Sequence, residues 1–177
     1  MILRRFHRLA LATIGLLTIV CSAGGCGSYG FTGSALPPHV ETILIPVFED
    51  QTRSGIPNLS DSITELLIER FVNRTRLRLA AGATDSDTIL SGTVLRYRNQ
   101  PAAVSGDEEA TINRVNITVK ARFEDRVKGL DMVPERTFTA FGEYDPVADG
   151  IDGEGDAITI ALVQIADDVF TAATSNW

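Results

Sequence analysis

The sequence predicts an α+β fold: a two-layer sandwich whose mainly antiparallel sheet of about four strands carries two helices on one face, in the order β-α-β-β-β-α. Three observations point there. Residues 112–125 alternate apolar and polar side chains more cleanly than any other segment, as a strand with one buried and one wet face does. Two other segments carry their apolar residues at helical spacing instead. Laying two helices on one face of an antiparallel sheet buries both apolar stripes with the fewest layers.

The first strand is read at 42–48. Ile43, Ile45 and Val47 share one face and Leu44 and Phe48 the other, so both faces are expected to be covered. Pro46 cannot donate to a ladder and marks an edge or a bulge. A turn-rich loop, 49–57, leads to the first helix at 58–73. Leu59, Ile63, Leu66, Leu67 and Phe71 form its stripe. Asn58 or Ser60 is placed to cap it, and Asp61 early with Arg70 and Arg74 late suits the helix dipole. Residues 77–79 are read as a short strand and 80–87 as a polar connection.

A longer strand follows at 88–98, in which Gly92 signals a bulge or a close neighbour. A hairpin loop, 99–111, carries Asp107, Glu108 and Glu109. In the next strand Val115, Ile117, Val119, Ala121 and Phe123 point inward, and Arg114, Asn116, Thr118, Lys120, Arg122 and Glu124 outward. The chain turns at 126–131 and forms a last strand at 133–144, with Phe138, Ala140 and Tyr144 on one face. An acidic stretch, 145–156, precedes the second helix. Its stripe is Ile158, Ala161, Leu162, Ile165, Val169 and Ala173, with Asp156 at the N-cap position.

Composition narrows the function. The chain has 177 residues, 44% hydrophobic and 22% charged, which suits one domain with a core and excludes a disordered acidic tail. Sixteen basic against 23 acidic residues give a net charge of −7, which argues against nucleic acid as a partner. Two Cys and two His exclude metal-ligand clusters and Cys-rich scaffolds.

Residues 1–25 read as an export signal. Arg4, Arg5 and Arg8 precede an apolar run, 9–20, that is shorter than the roughly 20 residues a spanning helix needs. Ser22-Ala23-Gly24-Gly25-Cys26 then resembles a lipobox, with Ala23 where Leu is usual. Cys26 is the expected lipidation site; the alternative is an ordinary thiol near a plain cleavage site. Cutting before Cys26 removes three Arg and no acid, leaving 152 residues and a formal charge of −10. Several acyl chains on one Cys would anchor the protein firmly. Gly27 stands where enterobacterial retention signals have Asp, so the outer membrane is the expected destination. Residues 26–40, rich in Gly, Ser and Pro, read as a lipidated tether, and 41–177 as a single domain.

Candidate chemistry is sparse. His39, in the tether after Pro37-Pro38, lacks the rigid cleft a catalytic His requires and reads as a solvated turn residue. The acids between Asp145 and Asp156 do not follow a calcium-loop spacing and read as a solvated loop favouring a helix N-terminus. No catalytic residue, metal ligand or cofactor beyond the lipid is expected. The basic residues are more informative. Arg96 and Arg98 alternate on one strand, and Arg114, Lys120 and Arg122 share the polar face of another. Together they can form a basic stripe on the open sheet face, suited to phosphate through the bidentate guanidinium. The alternative is an ordinary exposed face with cross-strand pairs to Glu124 or Glu135.

Several segments resemble a known family: residues 26–33 (Cys-Gly-Ser-Tyr-Gly-Phe-Thr-Gly), 36–43 (Leu-Pro-Pro-His-Val-Glu-Thr-Ile), 45–50 (Ile-Pro-Val-Phe-Glu-Asp), 87–94 (Asp-Thr-Ile-Leu-Ser-Gly-Thr-Val) and the terminal Ser175-Asn176-Trp177. In this order, after a lipobox, they are similar to lipopolysaccharide-assembly lipoproteins of the LptE type, in the form seen in Bacteroidota-like bacteria. The resemblance implies a non-enzymatic outer-membrane component that fills the lumen of a large β-barrel, the LptD translocon, helps it assemble, and contacts lipopolysaccharide. It also implies a small sheet carrying two helices, and basic residues that engage lipid A phosphates. The stripe at Arg96, Arg98, Arg114, Lys120 and Arg122 rests on its physics and not on a matched motif. The competing reading is a lipid-anchored periplasmic binding module without a barrel partner; a hydrolase lacks the necessary His and carboxylate inventory.

Overall fold

A computed structural model describes residues 36–104 and 111–175. The signal segment, Cys26, the tether up to Ala35, the loop acids Asp107, Glu108 and Glu109, and Asn176-Trp177 lie outside the described residues. The elements are β1 (Thr42–Leu44), β2 (Glu49–Asp50), α1 (Leu59–Arg74), β3 (Arg78–Leu79), β4 (Thr88–Val104), β5 (Thr111–Asp125), β6 (Leu130–Tyr144) and α2 (Gly153–Thr174), with a 3₁₀ turn at Ala83–Asp85 before β4.

The class is the α+β one expected, but the sheet is larger and mixed. Six strands run in the order β3-β1-β4-β5-β6, with β2 also paired to β4. The β4-β5-β6 meander is antiparallel, whereas β1 and β2 pair parallel with β4, and β3 parallel with β1. The strand expected at 42–48 ends at Leu44, and a second short strand, β2, forms at the start of the segment expected to be a loop. Pro46 lies between the two, and Val47 is 64% exposed while Ile45 and Phe48 are buried. The Phe48 N–H, left without a ladder partner, donates to Thr64 Oγ1 of α1 at 3.0 Å, and that hydroxyl donates to the Ser60 carbonyl. The break is thus satisfied from the helix.

The inner face of β5 forms the floor of the core. Val115, Ile117, Val119, Ala121 and Phe123 are all buried, as the alternation requires. Leu59, Ile63, Leu67 and Phe71 of α1 are buried too, and Phe71 meets Phe123 at 5.5 Å and Phe170 of α2 at 5.3 Å between ring centroids. The buried face of α2 is rich in Ala: 157, 161, 166 and 173. Gly142 of β6 lets that helix come close, since a Cβ there would stand 2.1 Å from the Ala157 carbonyl oxygen. Gly92 has a close neighbour as well: the Phe48 ring covers it, leaving no room for a Cβ.

Both expected side-chain caps are absent. Asn58 precedes α1 in the left-handed region (φ 60°), which Asn tolerates, and makes no side-chain cap; Ser60 lies inside the helix. α2 starts earlier than expected, after Asp152, so Asp156 sits in its first turn. Its carboxylate there still faces the positive end of the helix.

The tether reading also changes at its C-terminal end. Leu36 and Val40 belong to the core. Arg76 Nη2 donates to the Leu36 and Pro37 carbonyls, at 3.2 and 2.5 Å. The chain is therefore packed against the domain from Leu36 onward.

Truncating a buried Phe costs about 3–5 kcal/mol. Phe123→Ala is expected to lower the melting temperature sharply, and Thr118→Ala, on the opposite face of the same strand, to leave it within a few degrees. Thermal unfolding followed by circular dichroism checks this; equal losses would overturn the assignment of faces.

Candidate functional site on the open sheet face

Strand register decides which side chains share the open face. β4 pairs with β5 through Arg96↔Thr118, Arg98↔Asn116 and Gln100↔Arg114, and β5 with β6 through Thr118↔Thr139, Asn116↔Phe141 and Arg114↔Glu143. All of these lie opposite the helices. Arg96 reaches this face only because the ladder slips between Val94 and Arg96. Without the extra residue Leu95, strict alternation would send Arg96 and Arg98 into the core alongside Leu90 and Val94. A slip of one residue reverses every later side chain.

All five basic residues therefore lie on one surface, but in two different states. The β5 cations are neutralised locally. Arg114 Nε and Nη2 donate to Glu143 Oε1 at 2.8 and 2.5 Å, and its guanidinium lies 4.4 Å from the Phe141 ring centroid. Lys120 Nζ stands 3.2 Å from Glu135. Arg122 Nε donates to Asp131 at 2.6 Å and has Glu124 at 3.7 Å; the Asp131 hydrogen bond raises its already high pKa further. Arg96 and Arg98 are exposed and form no ion pair among the described residues. Beside them lie Thr118 and Thr139, whose hydroxyls are 3.2 Å apart, and Phe141, which is 51% exposed. The surface is thus a charge-balanced half beside a smaller cationic half. The bland expectation foresaw Glu124 and Glu135 as partners; Glu143 and Asp131, both from β6, follow only from the register.

His39 is not the solvated turn residue expected. Its Nε2 lies 2.6 Å from Asp125 Oδ2, with the His side chain 26% exposed and the Asp 3%. Burial pushes the Asp125 carboxyl up, but hydrogen bonds from His39 and from the Lys128 and Val127 N–H groups outweigh it and hold the pKa below the ordinary value. Asp87 works beside it. Its Oδ2 accepts the Glu41 and Thr42 N–H groups, both at 2.9 Å, and the Glu41 bond leads in lowering its pKa against some burial. The two carboxylates clasp the start of β1 to β4 and β5. No spacing pattern signals this pair, because His39 and Asp125 are 86 residues apart.

A second polar cluster ties the far end of the sheet to α2. Tyr97 donates its hydroxyl to Glu154, and burial, followed by Glu154, raises its pKa strongly. Tyr144 accepts from Asn99 at 2.7 Å and from Asn113 at 3.2 Å. The acids before α2 shape their own turn: Asp145 Oδ1 accepts the Val147 and Ala148 N–H groups, and Asp149 Oδ2 accepts that of Asp145.

Comparison with known proteins supplies the context for this face. The model of the family LptE, lipopolysaccharide-assembly, matches residues 40–173. The chain belongs to the LptE family. That family is one of non-enzymatic assembly lipoproteins of the cell envelope, and lipopolysaccharide assembly is its role. No curated protein sequence matches the chain. Among solved structures, protein CT253 of Chlamydia trachomatis is similar at 13% identity and a TM-score of 0.53, covering 77% of this chain and 99% of its own. Protein XCC0632 of Xanthomonas campestris aligns at 14% identity and a TM-score of 0.54, over 77% and 88% of the two chains. A PelC from Paraburkholderia phytofirmans, solved as a dodecamer, aligns at 16% identity and 0.50, over 81% and 95%. At these identities the likeness is one of fold, and this LptE chain shares its α+β layout with all three.

Both clasp carboxylates have lowered folded pKa values. Their contribution is complete above the ordinary carboxyl value and is lost as pH falls through and below it. Stability is expected to drop below about pH 4, with the Thr42 amide losing hydrogen-exchange protection ahead of Val119. Asp87→Asn should flatten that acid limb. His39→Ala should cost about 1–2 kcal/mol at pH 7 in urea unfolding, since a charge-assisted bond to a buried carboxylate is lost. An unchanged midpoint would show the clasp to be inert.

Proposed function

We propose that this chain is an outer-membrane lipoprotein, anchored through lipid on Cys26, that plugs and helps assemble an LptD-type lipopolysaccharide-export β-barrel and contacts lipopolysaccharide with its open sheet face. Membership of the LptE family is the observation that carries this reading. In it, residues 1–25 are the cleaved signal and 26–40 the lipidated tether, packed against the domain from Leu36, and the chain has no nucleic-acid partner and no cofactor beyond the lipid.

The register sharpens which cations would meet the ligand. A phosphate at Arg114, Lys120 or Arg122 must displace a carboxylate already in place. Arg96 and Arg98 hold no carboxylate among the described residues that a phosphate would have to displace, and they stand two residues apart on one face of β4, where guanidinium forks suit a phosphate. Arg96 and Arg98 are therefore the lead contacts, and the three β5 cations stiffen and orient the surface around them.

Two measurements test the proposal. Arg96→Glu/Arg98→Glu is expected to reduce lipopolysaccharide retention by the purified protein at least tenfold, with co-purification of the barrel intact and the melting temperature unchanged, because exposed charges contribute only about 0–1 kcal/mol. Lys120→Glu/Arg122→Glu should do less to the ligand. If both variants keep lipopolysaccharide and no barrel co-purifies with the wild type, the plug reading fails and a barrel-free binding module takes its place. For the anchor, Cys26→Ala should abolish labelling with a clickable palmitate analogue; equal label on both forms would refute lipidation there.

A further inference from the structure

The two edges of the sheet are unlike. At one, β3 is two residues long. At the other, β6 runs fifteen residues, Leu130–Tyr144, and among the described residues is paired only with β5. In an antiparallel pair, every second residue of the outer strand turns its N–H and C=O away from its neighbour. Sheet proteins normally blunt such a row with charge, proline or brevity. β6 does so near its ends, with Pro134, Glu135 and Arg136 at one side and Glu143 at the other. Between them, residues 137–142, Thr-Phe-Thr-Ala-Phe-Gly, hold neither charge nor proline. Left bare, a run of this kind adheres to other strands.

Space for another strand is present along this edge. A groove of about 470 Å³ lies between β6 and α2, lined among others by Arg136, Phe138, Asp168 and Thr171. A second, of about 350 Å³, involves Phe141, Ile160 and Gln164 and shares Thr139 and Asp168 with the first. Phe141 and Ile160 are more than half exposed. Arg136 lies 4.7 Å from the Phe138 ring centroid and has no ion pair among the described residues.

We propose that this edge docks an extended segment of another polypeptide, which joins the sheet as a further strand beside β6. The unpaired backbone groups specify an extended main chain, since neither an acyl chain nor a helix can satisfy them. The flanking side chains specify its pattern. Arg136 sits on the helix-facing side, opposite Ala121 in the register, and calls for an acidic side chain on that side of the incoming strand. Phe141 sits on the open face, opposite Asn116, and calls for an apolar one there. A second copy of β6 does not fit this pattern. A two-fold pairing keeps faces matched, and the helix-facing residues of β6 from Arg136 to Gly142 include no acid. The proposal is independent of whether lipopolysaccharide binds the open face.

Cross-linking in cells tests it. A photoreactive benzoylphenylalanine replaces Thr139 in the full-length protein, and Val127, exposed and remote from β6's middle, serves as the control position. Adducts at residues two apart in one segment of a different polypeptide are expected from position 139 and not from 127. Arg136→Glu/Phe141→Lys should reduce their yield at least fivefold, with an unchanged melting temperature. In hydrogen exchange, alternate amides within 137–142 should be fast in the isolated protein and at least tenfold slower in the detergent-extracted complex. Adducts onto this chain's own residues 137–142, with dimers in sedimentation, would overturn the proposal in favour of self-association. Amides equally fast in both states, or adducts without the two-residue spacing, would overturn strand addition altogether.

Discussion

Val115, Ile117, Val119, Ala121 and Phe123 cover the inner face of β5 in an unbroken row, and Phe123 carries the ring of Phe71, which in turn carries Phe170. Both helices are tied to that row, so β5 cannot slide by one residue without exposing all five side chains. Its outer face is then not free to vary: Arg114, Asn116, Thr118, Lys120 and Arg122 must face away from the helices. β4 and β6 take their registers from β5. The position of every cation and carboxylate on the open face follows from burial on the other side of the sheet.

That dependence explains what was legible beforehand. The meander, the two apolar stripes and the outward set on β5 are written in local periodicity, and one-sided burial makes such periodicity clean. β1, β2 and β3 are too short to show a period, and their parallel pairing is made by partners remote in sequence. Pro46 signalled a disturbance, but only the Thr64 hydroxyl that receives the Phe48 N–H shows how the break is accommodated. The caps misled because Asn58 and Asp152 start their helices through backbone conformation, without side-chain hydrogen bonds. At the candidate site the cations were readable as a group. Their division into paired and unpaired depends on Glu143 and Asp131 of β6 and on the extra residue Leu95, none of which has a local signature. His39 was misjudged for the same reason: its carboxylate partner lies on the far end of β5.

The ion pairs of the open face add little to stability, because exposed pairs are screened and lose side-chain entropy. On the proposed reading, their effect is on recognition. In a domain this acidic, three cations held against Glu143, Glu135 and Asp131 do not present a net positive field to an approaching anion. An anionic ligand contacting them would draw the cations from Glu143, Glu135 and Asp131, and the repulsion from those carboxylates would work against binding. Arg96 and Arg98 have no such paired carboxylate among the described residues. On the proposed reading, the face would favour a compact phosphate group placed over β4 above a broad anionic surface, which would also meet the acids of β6.

The same reasoning separates the two ends of the β1–β4 region from the β6 edge. Around β1 the backbone donors are met by fixed carboxylates: Asp87 takes the Glu41 and Thr42 N–H groups, while Asp125 takes His39 and the Lys128 N–H. Those contacts fix residues 39–42 against the residues that flank β4 and end β5. β6 has the opposite character. Its carboxylates stand toward its two ends, where Glu143 pairs with Arg114, Glu135 with Lys120 and Asp131 with Arg122, and residues 137–142 between them hold no charge. The charge of β6 is thus concentrated at its ends, where it balances the cations of β5, and the middle of the strand is left to its backbone and to Phe138 and Phe141.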